Sequence, residues 1–144
     1  MRISAERVLF VPPDHVWRTV DDPASMRRWW PYVTRVEGAD AGGFTLVFRS
    51  NRGNVVRGDY ELTERRVDEE LRWRQKTEGT PFERVLRHAE HTLLLAPAED
   101  GSTRVTLIAE RKMRGLARLG GWLARAGTRR QLEEALDGLA TIVR

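Results

Sequence analysis

The chain has 144 residues, 40% apolar and 32% charged, with net charge +4; this predicts one globular domain over residues 1–144 and excludes a fibre or disordered tail. No run of about 18 apolar residues can span a bilayer, and Met1–Arg7 opens no apolar leader, so the expected location is cytoplasmic. Zero cysteines exclude disulfides, thiolate zinc sites, iron–sulfur clusters and cysteine nucleophiles.

Residues 2–11 are β-rich and end at Pro12-Pro13, which a central strand does not tolerate. Pro13 and Asp14 suit the first turn of a helix, one by its fixed φ and the other by its charge. Val16, Trp17 and Val20 follow at helical spacing, and Asp21-Asp22-Pro23 ends that helix. The sequence predicts a second short helix over 23–29, stopped at Trp30-Pro31 because a residue before proline avoids the helical region.

From Val33 the apolar period becomes two. Predicted strands cover 33–39, 43–50, 54–65, 70–78, 84–96 and 103–113. Phe44, Leu46 and Phe48 share one face; Val56, Gly58, Tyr60 and Leu62 share another, opposite Arg57, Asp59 and Glu61. That alternation marks antiparallel strands wet on one side. Gly- and Asn-rich turns separate them, as at Ala41-Gly42-Gly43 and Asp100-Gly101.

After Arg114 the period returns to that of a helix, with one stripe from Leu116 to Ala126 and another from Leu132 to Val143. Gly120-Gly121 and Gly127 interrupt it, so a bent or broken helix is expected, with 114–127 as a hinged lid or as a closely packed segment. The sum is an α+β fold: a curved seven-stranded antiparallel sheet, two short helices after the first strand, and a long C-terminal helix over the concave face.

Four segments carry a family likeness: Pro12-Pro13-Asp14-His15-Val16-Trp17, Asp22-Pro23 through Trp29-Trp30-Pro31, the hairpin of 93–107, and the closing helix from Arg130. Together they resemble the helix-grip fold of the START-like or SRPBCC superfamily, nearest to its polyketide cyclase/dehydrase and lipid-transport branch. The resemblance implies a ligand cavity between sheet and last helix. Its members bind, transport, cyclise or scaffold, so it implies no single activity.

Motif chemistry is sparse. The histidines are His15, His88 and His91, and the last two fall on opposite faces of a strand, so no metal site is expected. There is no Gly-x-Ser-x-Gly, dinucleotide-binding glycine motif or P-loop, and no cofactor is expected. The inner sheet face offers more. Leu93, Leu95, Val105 and Leu107 face the core, so parity turns Arg87, Ala89 and His91 inward, with Ala109, Arg111 and Met113 beside them. Trp73, Gln75, Thr77 and Tyr60 join that face. An apolar pocket with a polar minority is the usual composition of a ligand site. Trp30 at the rim and Trp122 on the last helix complete the candidate set, as pocket residues or as plain core.

Three functions fit: binding a lipid-like, polyketide-like or aromatic molecule; a cofactor-independent cyclase or dehydratase using His91 as acid–base and Arg111 as anion holder; or an interaction module with a collapsed cavity. The basic stretch 114–130 suits an anionic headgroup or a membrane surface, unless its apolar face lies on the sheet. Only Lys76 and Lys112 are lysines, and the arginines are spread along the chain instead of forming a stripe, so no nucleic acid is expected.

Overall fold

In the computed structural model the described residues are 1–40, 42–50, 52–115 and 121–143, with the first three residues of the last segment described by backbone alone. Seven strands form one antiparallel sheet: β1 (Arg2–Leu9), β2 (Val33–Glu37), β3 (Gly43–Arg49), β4 (Val55–Arg66), β5 (Glu70–Gln75), β6 (Leu86–Pro97) and β7 (Thr103–Met113). Their order across the sheet is β1-β7-β6-β5-β4-β3-β2. β1 and β2 are therefore opposite edges, and the chain between them must cross the sheet.

That crossing carries two short helices. Helix α1 (Pro13–Val20) starts with proline in its first turn and Asp14 beside it, and it buries Val16, Trp17 and Val20. The predicted helix over 23–29 divides into a 3₁₀ turn, Pro23–Ser25, and helix α2, Met26–Trp29. The Asp22 carboxylate causes the tight start by accepting the Ala24 N–H at 3.1 Å. Ser25 then accepts from the indole N–H of Trp29 at 3.1 Å and donates to the Thr19 carbonyl at 2.7 Å, fixing α2 against α1.

The long helix α3 (Gly121–Ile142) lies on β1, β7 and α2. Leu132, Ala135 and Leu139 of α3 meet Leu93, Val105 and Leu107 of the sheet in the core. The expected break does not occur at Gly127, because α3 runs on through it; there the surrounding space is open and no packing strain asks for a bend. Gly120 and Trp122, and with them the hinge and lid expectation, lie outside the described residues and side chains. Gly138 is demanded by a close approach. A Cβ there would come within 2.6 Å of the Trp29 carbonyl oxygen, so its absence lets α3 touch α2.

The outer sheet face is polar, as the alternation requires. Arg74 pairs with Glu61, and the Thr45 hydroxyl donates to Asp59 at 2.6 Å. Several predicted strands are shorter than expected. β5 stops at Gln75, and Arg84, expected to open the next strand, instead ends a 3₁₀ turn, Pro81–Arg84, capped by Thr80. β6 then begins at Leu86 with a register shift against β7 between Leu86 and His88. α3 covers the β1–β7 side of the sheet, leaving the inner faces of β3 to β6 for something else.

Candidate functional site

His91 sits mid-sheet, opposite Trp73 on β5 and Ala109 on β7. Its neighbours Leu93 and Leu95 are buried, and the two-residue period puts His91 on their face. The ring is 5% exposed. It stacks on Trp73, with centroids 5.5 Å apart and planes at 20°, and meets Trp30 edge to face at 5.0 Å. Both ring nitrogens are buried without a hydrogen-bond partner among the described residues, as is the indole nitrogen of Trp73. Desolvation, aided by the Arg111 cation, pushes the imidazole down to about 3. His91 is therefore neutral under ordinary conditions.

Arg111 is next to Ala109 on the same face of β7. Its guanidinium donates to Thr128 Oγ1 at 3.1 Å and to Gln131 Oε1 at 2.9 Å, both on α3. No described carboxylate pairs with it. Burial pulls it below the usual arginine range, against a smaller opposing effect of Tyr60. It still carries its charge, because arginine does not deprotonate in proteins.

Tyr60 on β4 stacks on Phe44 with centroids 5.6 Å apart. Gly58, two residues back on the same face, makes room for the phenol: a Cβ there would lie 3.0 Å from the Tyr60 ring. Burial pushes this phenol up to about 12, so it too is neutral.

These groups border a cavity of about 550 Å³ between the sheet and α3. Of the residues singled out from sequence, Trp30, Tyr60, Gln75, His91, Arg111 and Met113 line it. Trp73 and Ala109 are 1% and 0% exposed and stand behind the lining, Trp73 as the plate under His91. Thr77 lies past the end of β5; its carbonyl accepts from the Thr80 backbone and hydroxyl, and its side chain borders a separate surface depression. The Trp122 side chain is outside those described. Arg87, expected inward, is exposed, because the register shift gives the inward place to Leu86.

Several lining residues were not anticipated. Phe48 and Val56 share the inward faces already read from β3 and β4, so their parity carried the signal. Phe82 and Val85 arrive through the 3₁₀ turn before β6. Thr128 and Gln131 reach Arg111 only because of how α3 docks, which no local pattern encodes.

Known proteins share this fold and its family pattern. The family model for polyketide cyclase/dehydrase and lipid transport matches residues 1–144. The chain belongs to that family. No curated protein matches it. A START superfamily protein from Mycobacterium smegmatis is 12% identical, with TM-score 0.75 and 99% of each chain covered. A Thermus thermophilus protein is 23% identical, with TM-score 0.77, over 99% of this chain and 97% of its own. A Staphylococcus aureus protein of unknown function is 12% identical, with TM-score 0.78, over 99% of this chain and 93% of its own. These likenesses establish the shared fold. In this member of the polyketide cyclase/dehydrase and lipid transport family, the cavity is marked by the Trp30–His91–Trp73 cluster and the partly buried Arg111. Among the described residues no three His, Asp or Glu side chains group as metal ligands, and no helix is long and apolar enough to cross a membrane.

Proposed function

We propose that this protein binds a hydrophobic small molecule in the cavity between the sheet and α3. The observation that carries this reading is the cavity itself: about 550 Å³ walled by aromatic and aliphatic side chains, with a few polar groups at fixed places. Family membership supports a lipid-like, polyketide-like or aromatic ligand.

Binding is favoured over acid–base catalysis by the state of His91. A general base works best with a pKa near the working pH. His91 is held neutral down to about 3, and its nitrogens are covered by protein. It serves the wall of the cavity better than a proton transfer. The interaction-module reading requires a collapsed cavity, and this one is open.

Native mass spectrometry of protein purified without denaturation tests the proposal. The expected result is a population carrying a small-molecule adduct, which is reduced in Val56→Trp, whose indole would project into the cavity. Adduct-free protein, or an adduct undiminished in Val56→Trp, would overturn it.

A further inference from the structure

Arg111 borders two spaces at once. One is the apolar cavity. The other is an adjoining depression of about 580 Å³ whose charged lining residues are Arg87, Arg111, Lys112, Arg114 and Arg125, with no acidic residue. Met1, Met113 and Ala124 are also shared between the two, so they meet at Arg111. None of these five cations pairs with a described carboxylate. For the four that follow Glu110 the sequence explains why: between Glu110 and Glu133 the chain contains no acidic residue.

A partly buried guanidinium held, among the described residues, only by a hydroxyl and an amide oxygen is electrostatically incomplete. Thr128 and Gln131 supply dipoles and orient the fork, but they do not neutralise it. A ligand anion would. The guanidinium has five N–H donors, and two are engaged here. The remaining donors suit a planar or tetrahedral oxyanion. On the cavity side, the Tyr60 hydroxyl makes no hydrogen bond with any described residue, so it is available to the same anion.

Building on the binding reading, we propose that the ligand is an anionic amphiphile. Its apolar body lies in the cavity along Trp30, Phe48 and Val56. Its negatively charged end pairs with Arg111 where the cavity opens into the basic depression. The exposed cations around that depression raise the local concentration of anions and speed their entry.

Two fluorescent probes of nearly equal shape separate charge from apolar fit: anilinonaphthalene sulfonate and the uncharged N-phenylnaphthylamine. On the intact protein, the sulfonate is expected to bind about tenfold tighter or more, a difference that shrinks with added salt. Arg111→Gln should bring the two affinities together, largely by weakening the sulfonate. Arg111→Lys, which keeps the charge, should retain most of the preference and guards against a folding defect in the first variant. Equal affinities in the parent protein, or a sulfonate preference unchanged in Arg111→Gln, would overturn the anionic assignment while leaving cavity binding intact. Failure of both probes to bind would remove the cavity reading and this inference with it.

Discussion

His91 lies nearly parallel to Trp73 at 5.5 Å and edge to face with Trp30 at 5.0 Å, and neither of its buried ring nitrogens has a hydrogen-bond partner among the described residues. This arrangement keeps the imidazole neutral in the fold, down to about 3, while the unfolded chain protonates it near 6.5. The stability associated with neutral His91 is therefore fully present above about pH 6.5 and is lost as pH falls toward 3. Over that window one extra proton on the unfolded chain lowers stability by about 1 kcal/mol per pH unit.

His91→Phe isolates that contribution. The variant keeps an aromatic ring against Trp73 and Trp30 and removes two unpartnered polar atoms. At about pH 7 it should match or exceed the parent in stability, by up to about 1–3 kcal/mol. At about pH 4.5 its advantage should be larger by about 2 kcal/mol. Urea denaturation at both values measures this. Parallel pH profiles for the two proteins would show that His91 does not titrate across folding.

Gly127 and Gly138 sit in the same helix and should respond in opposite directions. Gly138→Ala places a methyl group 2.6 Å from the Trp29 carbonyl oxygen, where the neighbour is backbone and yields little. A loss of about 1–3 kcal/mol is expected. Gly127→Ala meets nothing within 4 Å and improves helix propensity, so a gain of about 0.5–1 kcal/mol is expected. Thermal melts of both variants check the pair; a destabilised Gly127→Ala would reveal a need for glycine that its open surroundings do not show.

The contrast between these glycines also shows what the sequence conveys and what it withholds. Gly127 reads as an interruption of the helix while Gly138 falls within an apolar stripe, yet only Gly138 meets a neighbour, and that neighbour comes from another element. The strands were legible because Phe44-Thr45-Leu46 and Arg72-Trp73-Arg74 alternate at period two, and the order of elements with Trp30-Pro31 pointed to the helix-grip fold. His91 and Arg111 were legible by parity counted from Leu93 and Leu107. Parity failed at Arg87, where the register shift next to it exchanges inside for outside. It was insufficient for Trp73, which has the inward direction but is screened from the cavity by His91. Thr128 and Gln131 were invisible because they depend on the docking of α3, a long-range property.

If the cavity is the binding site, it must receive a small molecule in preference to any other apolar surface. The strongest competitor is the groove beside Phe10, Ala140 and Val143, where Phe10 is 90% exposed. Amide chemical-shift mapping with N-phenylnaphthylamine distinguishes them directly. Saturable shifts concentrated at Phe48, Val56, Tyr60, Ala89 and His91 are expected. Shifts confined to Phe10 and Ala140, or no saturable shifts at all, would contradict binding in the cavity.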